Sequence, residues 1–252
     1  MAADRHDEKA LELREMIARS RRAVVFTGAG ISTESGIADF RSPGGMWSKY
    51  RPINFHDFMA SEQMRVESWR RLAAVRPVMT GARPNKGHGA VARLVETGKV
   101  SAVITQNIDG LHQLSGVCPE KVIELHGNAT YAACLECRKR YELDDILASF
   151  AETETPPACD ACGGIVKTAT ISFGQEMPQA EMQAAQQESL ACDLFISLGS
   201  SLVVYPAAAF PEIARRNGAK LAIINREPTG LDRVADLVIH AEIGETLSAA
   251  VE

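Results

Sequence analysis

Ala23-Val24-Val25-Phe26-Thr27-Gly28-Ala29-Gly30-Ile31-Ser32-Thr33 is the stretch that decides the fold. Its first five residues are apolar or β-branched and stop at a glycine, the pattern of a short strand buried on both faces. The glycines that follow allow a tight turn and let backbone N–H groups approach a pyrophosphate. Outward from this stretch, comparable runs recur at Val100 to Thr105, Asp193 to Leu198, Leu221 to Asn225 and Leu237 to His240. Most follow stretches of helical spacing, such as His88 to Thr97 and Phe210 to Asn217. Asp7 to Ser20 also reads as an amphipathic helix, with Ala10, Leu11, Leu13, Met16 and Ile17 near helical spacing. Helix and strand in alternation predict an α/β protein: a Rossmann-like parallel sheet with helices on both faces. Ligands of such sheets sit beyond the carboxyl ends of the strands, so the residues just after each run matter most.

Two stretches break the alternation. Residues 38–83 show no obvious strand and mix charged with aromatic residues, and residues 128–170 carry four cysteines and a loop with Pro156-Pro157. Both read as insertions that together build a smaller domain, a helical module (38–83) and a cysteine module (128–170). Residues 1–37, 84–127 and 171–252 then form the discontinuous Rossmann-like domain. The chain of 252 residues can bury a sizeable core, and 46% hydrophobic with 23% charged residues is ordinary for a globular protein. A net charge of −5 argues against broad nucleic-acid binding, which needs clustered Lys and Arg. The N-terminal residues are densely charged, and no stretch approaches the roughly 18 apolar residues of a membrane helix. A cytoplasmic chain with no nucleic-acid or membrane partner is expected. Disulfides are disfavoured in that compartment, so the cysteines need another reading.

The glycine loop departs from the dehydrogenase fingerprint. Thr33 stands where its third glycine belongs, and no acidic residue ends a clear second strand where a dehydrogenase would hold the ribose. The loop suggests a dinucleotide but argues against standard hydride transfer. Cys134-Leu-Glu-Cys137 and Cys159-Asp-Ala-Cys162 are two Cys-x-x-Cys pairs, each able to grip one face of a tetrahedral ion. Four thiolates leave no open position, so a zinc there is structural; a redox role would want one pair placed after a strand. Cys118 and Cys192 read as ordinary core or surface thiols. Thr105-Gln106-Asn107-Ile108-Asp109-Gly110-Leu111-His112 puts an amide pair and a carboxylate after a strand, groups suited to a carboxamide and ribose hydroxyls. Asp109 could equally cap the start of a helix. Glu124-Leu125-His126-Gly127 places a histidine at the exit of an apolar segment, either a general base at a cleft or a structural residue.

Together these segments resemble the sirtuin family, the NAD-dependent protein deacylases. The resemblance is carried by Gly28 to Ser32 through Ser35-Gly36-Ile37-Ala38-Asp39-Phe40-Arg41, then Thr105 to His112, His126-Gly127 and the four cysteines. Phe173-Gly174, Gly199-Ser200-Ser201-Leu202-Val203-Val204-Tyr205-Pro206 and Asn225 complete it, in the family's order, over roughly Ala23 to Gly244. It implies NAD consumed as a co-substrate and one structural zinc ion on Cys134, Cys137, Cys159 and Cys162. Ala29, Gly30 and Thr33 would line the phosphate loop, and Asp39 would belong to the cofactor set. Phe40 and Arg41 would close over the nicotinamide ribose. Gln106 and Asn107 would contact ribose and bound water, and Ile108 and Asp109 would hold the carboxamide. Gly199, Ser200, Ser201 and Asn225 would take the adenosine side, with Ile243 flanking the adenine. Ile171, Phe173, Gly174, Val203, Val204 and Tyr205 would hold the acetylated protein or peptide by β-augmentation.

His126, with Asn107 and Asp109, would be catalytic, His126 taking a proton from a ribose hydroxyl. The products would be nicotinamide, O-acyl-ADP-ribose and free lysine; protein ADP-ribosyl transfer by the same family fold is the alternative. A monomer is expected. Ala38 stands where the family commonly has proline, Lys167-Thr168 where it has Arg-Pro, and Gln175 where it has Glu, which puts peptide preference in doubt. The Tyr-x-x-Arg motif of desuccinylase-like members is absent, so neutral acyl chains are expected.

Overall fold

A computed structural model describes residues 2–39, 45, 48 and 50–251. Phe40 and Arg41 lie outside the described residues. Nine strands are found among the described residues: β1 (Ala23–Thr27), β2 (Val100–Thr105), β3 (Val122–Glu124), β4 (Gly127–Cys134), β5 (Arg140–Glu142), β6 (Val166–Thr170), β7 (Leu194–Leu198), β8 (Lys220–Ile224) and β9 (Leu237–Ile239). Six of them form one parallel sheet in the order β3-β2-β1-β7-β8-β9. β1 lies at its centre with β2 on one side and β7 on the other, and all five of its residues are buried. That is why its sequence is apolar without alternation.

Helices cover both faces. On one face α1 (Ala2–Arg19), α4 (Lys86–Glu96) and α9 (Ile243–Val251) bury Leu13, Ile17, Val91, Leu94 and Leu247 against Val25, Val103 and Ile196 of the sheet. On the other, α7 (Gln179–Ala191) and α8 (Phe210–Arg216) bury Ala185, Phe210 and Ala214 against Phe26, Phe195 and Ile223. The parallel α/β expectation holds. Four strand ends differ from it, the first being Lys220, which opens β8 one residue before Leu221. Asp193 stays outside β7 because its carboxylate accepts from Ser20 Oγ and from the backbone N–H groups of Arg21 and Arg22. Asn225 and His240 lie just past their strands, where the Asn225 side chain turns to Glu227 O and His240 Nδ1 meets Asn225 O.

The remaining strands form an antiparallel sheet, β5-β4-β6. It shares a third core with α3 (Glu62–Gly81) and α6 (Leu143–Thr153): Trp69 packs with Ala132, Leu143, Ile146, Phe150 and Val166. The indole of Trp69 therefore joins the helical insertion to the cysteine insertion. The helical insertion also contains α2 (Phe55–Ala60), whose Phe58 is buried, and a short helix, α5 (Leu111–Leu114), follows β2 in the parallel-sheet domain. Between the two sheets the chain passes from β3 to β4 through Leu125 and His126.

Candidate active site

The carboxyl ends of the parallel strands open into a cleft of about 660 Å³. Each wall is supplied by residues just beyond a strand: Ala29 and Gly30 after β1, Gln106, Asn107 and Ile108 after β2, His126 after β3, Gly199, Ser200 and Ser201 after β7, and Asn225 after β8. Asp39 also lines it. The opposite wall holds Ile171, Phe173, Gly174, Val203, Val204 and Tyr205. Phe173, Val203 and Tyr205 are exposed apolar or aromatic side chains, 45%, 54% and 63% accessible. Thr33 and Ile243 do not line the main cleft. They line an adjoining recess of about 80 Å³ that shares Gly30, Asp39, Gly199 and Asn225 with it.

His126 is held at the point where the chain leaves one sheet for the other. Leu125 N–H still donates to Thr105 O, as a continuation of the β2–β3 ladder, and Ile171 N–H donates to His126 O across the start of the small sheet. Its ring Nδ1 sits 3.0 Å from the carbonyl oxygen of Gln106. A carbonyl can only accept, so Nδ1 carries the proton and Nε2 is left as the basic nitrogen. Burial pushes the His126 pKa below the ordinary 6.5, with the Gln106 carbonyl pulling the other way. The imidazole is therefore neutral at neutral pH, the state a general base needs.

Behind the cleft wall a buried polar network ties the two motifs together. Asn107 Nδ2 donates to Ser32 Oγ at 3.1 Å, and Ser32 Oγ donates to Asp109 Oδ2 at 2.7 Å. Asp109 is not among the cleft-lining residues, and its other oxygen caps the N–H of Leu111 at 2.9 Å. The capping role and a place behind the pocket thus coexist in one carboxylate. Asn107 N–H donates to Thr105 Oγ1, which accepts from Thr27 Oγ1 at 2.8 Å. Gln106 Nε2 donates to Ser200 Oγ at 2.7 Å, linking the second strand's loop to the seventh's. Ser32 is the residue that sequence reasoning passed over, although it lies inside the glycine motif. Glu227 and Met177, also on the cleft wall, carried no sequence signal.

The glycines do more than turn the chain. A Cβ on Gly30 would stand 2.6 Å from Gly199 Cα, and one on Gly199 would stand 2.4 Å from Ile31 N. The loops after β1 and β7 touch backbone to backbone, and Gly30 N–H is engaged by Gly199 O at 2.8 Å. Close loop packing, rather than a left-handed turn, requires glycine at position 30, whereas Gly199 also has φ of +64°.

The four cysteines fit a metal ion. Their sulfurs lie within 4.8 Å of one another, with Cys134–Cys162 and Cys137–Cys159 Sγ separations of 3.5 Å. A tetrahedral ion with Zn–S bonds of about 2.3 Å needs sulfur–sulfur edges of roughly 3.8 Å. Tyr141 Oη donates to Cys159 Sγ at 3.0 Å, the kind of outer partner that orients a ligand. Cys118 is exposed and Cys192 buried, and neither belongs to this set.

A parallel sheet with its cleft at the strand ends and a four-cysteine module that fits a zinc ion beside it defines the class: a Rossmann-type protein with a metal-binding insertion. Within that class the family is specific. The model of the Sir2 family matches residues 28–206, and the chain belongs to that family. NAD-dependent protein deacetylase 1 of Bradyrhizobium diazoefficiens is 59% identical over 239 residues, covering 95% of this chain and 94% of the relative. The NAD-dependent protein deacetylase of Rhodopseudomonas palustris is 56% identical, covering 95% of each. Among solved structures, a complex of Sir2 with p53 peptide and NAD+ has a TM-score of 0.84 at 38% identity, covering 94% of both chains. A Sir2 histidine-to-alanine variant with deacetylated p53 peptide and 3'-O-acetyl ADP ribose has a TM-score of 0.88 at 37% identity, covering 97% of this chain and 100% of that one.

Proposed function

We propose that this chain removes acetyl and other neutral acyl groups from protein lysines at the expense of NAD, yielding nicotinamide, O-acyl-ADP-ribose and free lysine. The observation that carries the proposal is a neutral, oriented imidazole, His126, on the wall of a cleft built from strand-end loops. The names of the relatives and the Sir2 complexes with peptide, NAD and acetylated ADP-ribose support it. NAD would supply a ribose carbon that loses nicotinamide and bonds the acyl oxygen; the acyl group would then pass to a ribose hydroxyl oxygen, with one water consumed to free the lysine. His126 Nε2 takes the proton from a ribose hydroxyl. Asn107 and Asp109, joined through Ser32, give the carboxamide side of the pocket a fixed polar geometry, with Ile108 beside them. Ala29, Gly30, Thr33, Asp39, Gly199, Ser200, Ser201, Asn225 and Ile243 serve the phosphate and adenosine side, with Phe40 and Arg41 assigned by resemblance alone.

The substrate peptide lies between Ile171–Gly174 and Val203–Tyr205. The zinc takes no chemical part and holds residues 128–170 as a folded module against residues 38–83, the two forming the smaller domain. A cytoplasmic monomer with no nucleic-acid or membrane partner completes the proposal. Ligand-like rather than bridged cysteines support a reducing compartment, and among the described residues no helix is long and apolar enough to cross a membrane.

The test is an acetyl-lysine peptide incubated with the enzyme and NAD. Nicotinamide and O-acetyl-ADP-ribose are expected in equal amounts, and His126→Ala should lose turnover by orders of magnitude while still binding NAD. Transfer of ADP-ribose to protein in place of peptide deacetylation would favour the alternative reading.

A further inference from the structure

Lys167 is a buried cation with no part in the chemistry above. It lies on β6, 3% exposed, and among the described residues no carboxylate pairs with it. A lone buried ammonium is costly unless its N–H groups are taken up. Here the acceptors come from the chain just ahead. Nζ donates to Thr170 O at 2.5 Å, lies 3.4 Å from Thr168 O and 3.5 Å from Thr170 Oγ1, and stands 5.9 Å from the centre of the Phe58 ring. Burial pushes its pKa down to about 8, which leaves it protonated at neutral pH.

The strand register explains why a donor is wanted at that point. Lys167 faces Ala133 and Thr168 faces Ala132, but the next matched pair is Thr170 with Gly127. Over that step β6 advances two residues and β4 five, so the ladder is irregular where Thr168 to Thr170 leave the small sheet. Thr170 is also the first residue of the cleft wall that continues to Gln175. Beyond it, Ile171 N–H donates to His126 O, and Phe173 O accepts from Phe55 N–H of α2. Lys167 thus stands where the irregular end of β6, helix α2 and the cleft wall meet.

We infer that Lys167 is a positioning residue for the acylated peptide, its ammonium bracing Thr168–Thr170 so that Ile171–Gly174 presents a fixed edge beside His126. This rests on the deacylase reading, in which that edge pairs with substrate. A bound peptide would add its own backbone hydrogen bonds to the edge, and a slack edge would have to be ordered first.

The experiment compares wild type, Lys167→Met, Lys167→Arg and Lys167→Gln by steady-state kinetics in acetyl-lysine peptide and in NAD, with zinc content and thermal unfolding measured alongside. Lys167→Met should raise the peptide KM about fivefold or more, with the NAD KM moving less than about twofold, and Lys167→Arg should return the peptide KM to near the wild-type value. A folded Lys167→Met enzyme with the wild-type peptide KM would overturn the proposal. So would an equal rise in both KM values, or loss of zinc, since either marks a general structural role. If Lys167→Met does not fold, Lys167→Gln, which keeps N–H donors, should show a smaller rise in peptide KM alone; no rise would overturn the proposal. A wild-type enzyme without deacetylase turnover would instead strike the deacylase reading, and that outcome is separate from any ranking among the variants.

Discussion

His126 and Gln106 together show how one backbone carbonyl can set the chemistry of a ring. Because Nδ1 donates to that carbonyl, Nε2 is the basic nitrogen, and burial keeps it unprotonated to lower pH than an ordinary histidine. A base must be neutral to act, so a lowered pKa moves the acid limb of the rate profile downward. The kcat/KM for peptide, followed against pH, should therefore fall with an apparent midpoint below 6.5. A midpoint above that value would contradict the assigned environment. Ser32 carries the second prediction at this scale. Ser32→Ala leaves the Asn107 amide and the Asp109 carboxylate each one buried partner short. At about 1–3 kcal/mol for such a loss, kcat/KM for NAD should drop roughly tenfold or more, measured at saturating peptide. His126 was legible in sequence through its neighbours and their order. Ser32 was not, because its partners lie 75 and 77 residues along the chain.

The loop after β7 needs glycine at 199 for two reasons, a left-handed backbone and close contact with the glycine loop, and a matched pair of variants separates them. Gly199 and Gly98 both have positive φ, +64° and +73°, but a Cβ at Gly98 meets nothing within 4 Å while one at Gly199 meets Ile31 N and Gly30. Gly98→Ala should cost about 1 kcal/mol, the backbone penalty alone. Gly199→Ala should shift the denaturation midpoint further and raise the KM for NAD, since the collision reshapes the glycine loop. Equal midpoints for the two would refute the close-packing account. The cysteine module behaves as an element in its own right: Cys134 and Cys159 belong to the same buried core as Trp69 and Phe150. Cys134→Ala should release zinc and lower the unfolding temperature, and full metal retention would remove Cys134 from the ligand set. Cysteine spacing made this element readable in advance, whereas the contact of Trp69 with it had no local signature.

Across the whole molecule, a set of buried histidines couples stability to acidity. Burial lowers His88 to about 4, opposed by Asp109, and His112 to about 3, with His88 adding to the effect. Their ring centroids lie 5.1 Å apart at a tilt of 56°, His88 on α4 and His112 just after the Thr105 loop. The unfolded chain takes up protons near 6.5 and the folded chain only near the lowered values. Their contribution is therefore complete above about pH 6.5 and is lost progressively as the pH falls toward about 4 and below. Unfolding temperature should decline across that window, and His112→Gln should flatten the slope; an unchanged slope would show that other groups set it. Acyl preference also belongs to the whole cleft. Its described walls include no Lys or Arg, so an acetyl-lysine peptide should be turned over faster than a succinyl one, by comparison of kcat/KM. The sequence by itself determined the alternation of strand and helix, the cysteine ligands and the ordered motifs, because periodicity and short spacing are local properties of a chain. Only the tertiary structure decided that Ser32 bridges Asn107 to Asp109, that Gly30 packs on Gly199, and that Lys167 is buried with no carboxylate beside it among the described residues. Those relations join segments that meet through the strand order and the two packed sheets, and side-chain burial in three dimensions sets their energies.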